Sequence, residues 1–104
     1  MSQSMFYITA ENTEEAKSLS KRLVEEKLVA CINVLPYMNS FFYWKGKAQS
    51  EEEVLMIGKT RTDLVEKLVE RVKQLHSYEV PCVVSWEIKQ GNPDFLNWIN
   101  EETT

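Results

Sequence analysis

Two amphipathic helical stretches alternate with short β-prone runs, and this order constrains the fold of the 104-residue chain more than any other feature. Residues 4–10 are strand-like, and Asn12 with Glu15 three residues later fits a capping-box helix start. Apolar residues then recur at spacings of three and four, the period of one helical face. In the first stretch they are Ala16, Leu19, Leu23, Val24 and Leu28, and in the second Leu64, Val65, Leu68, Val69, Val72 and Leu75. The pattern predicts two helices that each bury one face.

A long hairpin is predicted between the two helices. Residues 30–35 form a mostly apolar run with β-branched residues that is too short for a helix, and Pro36 interrupts it. Aromatic residues 41–44 resume the strand before a turn at Gly46, and residues 53–60 return as the third strand. The hairpin therefore spans most of the middle of the chain.

The last third of the sequence supplies one more strand and one more helix. Residues 82–88 are predicted as the fourth strand, after a loop that ends at Pro81. Asn92 fits a helix N-cap and Pro93 the first helical position. The order β-α-β-β-α-β with a C-terminal helix predicts a ferredoxin-like α+β fold, in which two helices cover one face of an antiparallel sheet. We expect one domain over residues 1–104.

The predicted strands carry apolar side chains on both faces, although the two helices can cover only one. In the second strand, for example, Ile32 and Val34 alternate with Cys31 and Leu35. Strands that are apolar on both faces are usually buried on both. We therefore expect a partner subunit on the second face and aromatic residues of the hairpin at that interface. The predicted interface residues are Phe41, Phe42, Tyr43, Trp44 and Trp86.

Composition disfavours several classes of partner. The net charge is −4 and the isoelectric point about 5.0, so no basic surface for nucleic acid is expected. No apolar run approaches the roughly 18–20 residues of a membrane span, and residues 1–5 lack the layout of a signal peptide. We expect no membrane or nucleic-acid partner and a cytoplasmic location. The two cysteines, Cys31 and Cys82, are expected to be small core residues or metal ligands.

The sequence shows no catalytic constellation, so we expect that the chain is not an enzyme. It has one histidine, no Gly-x-Ser-x-Gly and no glycine-rich phosphate loop. An acylphosphatase-like enzyme shares the predicted topology but needs an arginine-bearing loop after the first strand, where residues 9–14 are acidic. An RNA-recognition module of the same topology needs a basic sheet surface, which the net charge of −4 disfavours.

A few side chains are candidates for metal or ligand binding, although none has the spacing of a zinc motif. His76 could line a ligand site or could be a loop histidine hydrogen-bonded at a helix C-terminus. Glu53 belongs to a run of three glutamates that could equally be a solvated strand edge. Lys59 could neutralise Glu53 of a neighbouring chain or a bound anion. Tyr78 and Trp44 could stack on a ligand or could fill a core or an interface.

The order and spacing of several short motifs resemble one known family over nearly the whole chain, namely the CutA family of divalent-cation tolerance proteins. The matching positions are residues 28–36, Ser40, Trp44, Gly46, Lys47, Glu53, Met56, Lys59, Thr60, His76, Tyr78, Pro81 and Trp98. Three positions depart from the family pattern. Ser77 occupies the position of the usual proline, and Phe42 the position of a more usual tyrosine. Ile8 occupies the position of a cysteine that takes part in described copper sites.

The resemblance implies a homotrimer formed through sheets and long hairpins, with a role in tolerance of copper and other divalent ions. No cofactor is required, and copper or another divalent ion is the one expected ligand. The resemblance places a metal or small ligand at clefts between subunits, with His76 and Glu53 as metal ligands and Tyr78, Lys59 and Trp44 lining the cleft. The alternative is a signalling or scaffold trimer that binds a protein partner without metal.

Overall fold

One antiparallel sheet of four strands organises the structure, a computed structural model that describes residues 1–104. The elements in chain order are β1 (Gln3–Ala10), α1 (Thr13–Glu25), β2 (Cys31–Trp44), β3 (Lys47–Arg61), α2 (Val65–Leu75), β4 (Val83–Glu87) and α3 (Pro93–Glu102). A single 3₁₀ turn, Thr62–Leu64, leads into α2. The strand order is β2-β3-β1-β4, with every neighbouring pair antiparallel. This topology confirms the predicted ferredoxin-like α+β fold with a C-terminal helix.

The core lies between one face of the sheet and the helices α1 and α2. Alternate side chains of β1 and β3 point into it, among them Phe6, Ile8 and Met56, which are completely buried. Leu23 of α1 and Leu68 of α2 close the core from the helix side. Both predicted helix caps are present. The Asn12 side chain accepts a hydrogen bond from the Glu15 backbone amide of α1, and the Asn92 side chain accepts one from the Asp94 backbone amide of α3.

The β2–β3 hairpin extends beyond this core, and the molecule measures 44 × 25 × 23 Å. Lys45 and Gly46 form its turn with φ angles of +51° and +79°, the signs of a type I′ turn. The predicted break at Pro36 is a β-bulge, because the register with β3 shifts between Leu35 and Met38 and the strand continues. Proline is tolerated there because β2 is an edge strand.

The second face of the sheet remains largely uncovered. Helix α3 packs across one end of it, where the Gln3 side chain donates to the Asn100 side chain over 3.0 Å. Beyond α3, Leu35, Val84 and Trp86 are about half exposed on this face. We call this surface, formed by the odd-numbered residues of β1 and β3 and their neighbours on β2 and β4, the open sheet face. Its apolar character matches the two-sided pattern in the sequence.

Candidate functional site

The loop between α2 and β4 brings the histidine to the end of β1. His76 ends α2, and its backbone amide donates to the Val72 carbonyl over 2.8 Å. The ring nitrogen Nε2 lies 2.7 Å from the carbonyl oxygen of Thr9 in β1. The His76 side chain is completely buried. The loop is thus attached to the sheet through this ring.

The hydrogen bonds of His76 determine its tautomer. The backbone amide of Tyr78 donates to Nδ1 over 3.0 Å, so Nδ1 must carry the lone pair. A carbonyl oxygen can only accept, so Nε2 carries the proton that bonds Thr9. Both ring nitrogens therefore have protein partners. His76 therefore makes the contacts expected of a histidine hydrogen-bonded at a helix C-terminus, and its role as a metal ligand stays a prediction.

Tyr78 connects the loop to Glu53 on β3. The Tyr78 hydroxyl donates to Oε2 of Glu53 over 2.7 Å, and the Tyr78 and His76 rings lie tilted, with centroids 4.8 Å apart. Burial raises the pKa of Tyr78 strongly, and the hydrogen bond to the Glu53 carboxylate raises it further. Three of the predicted site residues, His76, Tyr78 and Glu53, are therefore neighbours in the fold.

Glu53 is a buried carboxylate with little support from its own chain. Only 8% of the residue is exposed, and the Tyr78 hydroxyl is its one side-chain hydrogen-bond donor. No lysine, arginine or histidine nitrogen lies within 4.0 Å of it. Burial, with a contribution from Glu53, raises the pKa of the half-buried Cys82 thiol. A protonated thiol is a weak metal ligand, because the thiolate is the form that binds.

Glu15 also holds this loop in place, a role that the sequence pattern did not reveal. Its carboxylate accepts from the Ser77 backbone amide over 2.9 Å and from the Glu11 amide over 3.1 Å. Burial by itself would raise the pKa of Glu15, but the hydrogen bonds from Ser77 and Glu11 outweigh it and lower the pKa. Its position three residues after Asn12 predicted only a helix cap.

The other predicted cleft residues lie elsewhere in the chain. Lys59 is farther along β3, with its Nζ 4.0 Å from Cys31 Sγ and 5.9 Å from the centroid of the Phe95 ring. Trp44 is at the hairpin tip, where the Lys45 ammonium lies 5.9 Å from the ring centroid. Tyr78, Lys59 and Trp44 therefore do not line one cleft of a single chain.

The predicted interface residues are all accessible in the single chain. Phe41 and Tyr43 on the hairpin are 80% and 78% exposed. Phe42, Trp44 and Trp86 are between a third and a half exposed. Beside Trp86, a groove of about 520 Å³ runs between Met5 of β1 and Phe95 of α3. Aromatic surface of this extent is typical of interaction sites.

The side chains of one chain do not assemble a complete metal site. No group of three or more His, Cys, Asp or Glu residues is placed to hold an ion. Structural and tightly bound metals need three or four such donors. No helix of the chain combines the length and the apolar character that crossing a membrane requires.

Comparison with known proteins identifies close relatives over almost the entire chain. Residues 4–102 match the family model described as CutA1 divalent ion tolerance protein. The chain is 45% identical to the divalent-cation tolerance protein CutA of Archaeoglobus fulgidus, over 91% of this chain and 92% of the relative. It is also 45% identical to the protein CutA homolog of Xenopus laevis, over 96% of this chain but only 66% of that longer relative.

Solved structures of the same description share the fold. The CutA1 structure from Oryza sativa superposes with a TM-score of 0.97 at 39% identity, over 100% of this chain and 95% of that one. The periplasmic divalent cation tolerance protein CutA from Archaeoglobus fulgidus superposes with a TM-score of 0.95 at 42% identity, over 98% and 99% of the two chains.

Proposed function

The chain belongs to the CutA1 divalent ion tolerance protein family, and we propose that it acts as a homotrimer that responds to divalent cations, copper among them, and does not act as an enzyme. The observation that carries the proposal is the open sheet face together with the hairpin that extends beyond the core. Leu35, Val84 and Trp86 on that face and Phe41 and Tyr43 on the hairpin are exposed apolar groups that a second and third copy would bury.

The donor groups of one chain favour a cation site shared between copies. Glu53 offers one carboxylate with an oxygen that no protein group occupies, whereas both nitrogens of His76 are engaged. Further donors must come from another copy or from water, since one chain holds no cluster of three ligands. We expect copper or zinc to bind with modest affinity and to exchange readily.

The contacts of His76 disfavour this residue as a catalytic base. A general base needs a nitrogen or oxygen free to take a proton from a substrate, and neither nitrogen of His76 is free. Light scattering combined with calorimetric titration tests the proposal. We expect a mass near three times the 12.2 kDa of the chain, and modest copper or zinc binding that Glu53→Gln weakens and His76→Asn leaves in place.

Each outcome of that experiment has a definite meaning. A mass of one chain contradicts the trimer. A trimer that binds no metal favours the scaffold alternative, in which the partner is a protein. Tight binding that His76→Asn abolishes would contradict the assignment of His76 as a structural residue.

A further inference from the structure

Two charged side chains of the open sheet face differ from all others of their kind in burial. Glu53 is the only buried carboxylate among the sixteen Asp and Glu residues. Lys59 is the only lysine that is half-buried, and every other lysine is exposed. Both lie on β3, so the same strand buries one negative and one positive charge.

Neither charge has an opposite charge within its own chain. Glu53 receives one hydrogen bond, from the neutral Tyr78 hydroxyl. The Lys59 ammonium has only the Cys31 sulfur at 4.0 Å and the face of the Phe95 ring at 5.9 Å, and no carboxylate within salt-bridge distance. A buried charge without a counter-charge, as at Glu53, is strongly unfavourable, and a half-buried one, as at Lys59, is less so, whereas a paired charge is tolerated.

The geometry of β3 prevents the two groups from neutralising each other. Side chains alternate along a strand, so residues 53 and 59 share a face, but six residues at about 3.3 Å each separate them by about 20 Å. Between them on the same face lie the partly buried Leu55 and Ile57. The face therefore presents an acid, two apolar groups and a base in a row.

This row is complementary to a second copy of itself. In a cyclic trimer the contacts between copies run head-to-tail, so the acid end of the row on one copy can face the basic end of the row on the next. We propose that Glu53 of one copy pairs with Lys59 of the next copy. The proposal rests on the homotrimer proposed above and specifies which charges its interface joins.

The pairing also bears on cation binding at the same carboxylate. A divalent ion that binds Glu53 must displace the Lys59 ammonium of the next copy, because both would use the same oxygens. The affinity for copper or zinc is then set by a competition, which agrees with the modest binding expected from an incomplete donor set. Lys59→Met should therefore raise the affinity of the trimer for either ion.

A double-mutant cycle tests the pairing without any metal. The variants are Glu53→Gln, Lys59→Met and the two together, studied in the presence of a chelator. Dissociation of the assembly by guanidinium is followed by light scattering, and circular dichroism shows whether each variant is folded. We expect each single substitution to raise the dissociation constant at least about tenfold, since it leaves the other charge buried and unpaired. The dissociation constant of the double variant should not exceed that of the single variant that dissociates more readily.

Glu66→Gln and Lys67→Met serve as matched controls, because both residues are exposed on α2, which covers the other face of the sheet. We expect these two to change the dissociation constant less than about twofold. Charge reversal provides a second measurement: Lys59→Glu alone should dissociate the assembly, and Glu53→Lys with Lys59→Glu should restore it.

The outcomes separate the pairing from the proposed function. If the wild type is a trimer and the two single substitutions change its dissociation constant additively, the Glu53–Lys59 pairing is overturned and the proposed trimer stands. A wild-type chain that is a monomer overturns both. Coupled effects with restoration by the charge-reversed pair support both.

Discussion

The imidazole of His76 donates its Nε2 proton to the carbonyl oxygen of Thr9 over 2.7 Å, which joins the end of α2 to the end of β1 across 67 residues of sequence. The opposite ring nitrogen accepts from the Tyr78 amide, so one buried ring satisfies two backbone groups. Tyr78, whose amide donates to this ring and whose hydroxyl donates to Glu53, connects His76 to the candidate site.

His76→Ala should lower the free energy of unfolding by about 2–4 kcal/mol. The substitution leaves the Thr9 carbonyl and the Tyr78 amide unpaired in a buried place, and each such group costs about 1–3 kcal/mol. His76→Asn should lose less, because its amide oxygen can still accept from Tyr78. Denaturant unfolding followed by circular dichroism, at one protein concentration, measures the difference. Equal stability of the alanine variant and the wild type would contradict the role given to the ring.

Tyr78 should make stability fall at alkaline pH. Its pKa is raised in the folded chain, chiefly by burial and then by Glu53. The unfolded chain therefore loses this proton first, near the ordinary tyrosine value of about 10. The contribution is fully present below pH 10 and declines as the pH rises above it. Unfolding measured between pH 8 and 11 should show a steeper decline for the wild type than for Tyr78→Phe.

Tyr37, which is 86% exposed and is not among the predicted interface residues, gives a control for this pH dependence. Tyr37→Phe should follow the wild-type curve throughout, since the ring is exposed and does not contact a buried carboxylate. If Tyr78→Phe and the wild type lost stability in parallel above pH 10, ionisation of Tyr78 would not be coupled to folding.

Local patterns in the sequence were sufficient to predict the order of the elements and the fold class. Helical spacing marked both long helices, and asparagine caps marked the starts of α1 and α3, since these signals lie within a few neighbouring residues. The first part of β3 was missed, because residues 47–52 are mostly polar and resemble a loop, although they pair with the aromatic part of β2. Pairing between strands depends on the partner, which composition does not show.

The candidate site was predictable only in part. The sequence singled out His76, Glu53 and Tyr78, which the fold brings together, but it could not assign the ring nitrogens of His76. That assignment depends on the Thr9 carbonyl, and every residue has a carbonyl. The contact between Glu15 and Ser77 was missed for the same reason, because a carboxylate that accepts from a distant backbone amide leaves no local pattern.

Gly58→Ala should destabilise the sheet by about 3 kcal/mol or more. A Cβ atom at this position would clash with the Cys31 carbonyl oxygen and would lie 2.5 Å from Cζ of Phe6, so both β2 and a core ring would have to move. Overpacking of a filled core typically costs about 1–3 kcal/mol, and a clash with backbone adds to that. Thermal unfolding by circular dichroism measures the loss.

Gly91→Ala is the matched control for Gly58. A Cβ atom there would approach no atom closer than 3.4 Å, on Leu96, which is an ordinary contact. We expect this variant to unfold within about 0.5 kcal/mol of the wild type. Similar losses at both glycines would show that the close approach at Gly58 is relieved by small movements of the strand.

Tyr37→Gly should raise the free energy of unfolding, by up to about 1 kcal/mol. Tyr37 follows Pro36 in the β-bulge and has a φ of +67°, a left-handed conformation that costs a residue with a Cβ atom about 1–2 kcal/mol and glycine almost nothing. The flexibility of glycine in the unfolded chain offsets part of this gain. The ring is 86% exposed, so its removal loses little packing within the chain. Tyr37→Phe, which keeps the strained backbone, should match the wild type in the same denaturant titration. Lower stability of Tyr37→Gly would mean that the ring is buried against another copy in the assembly.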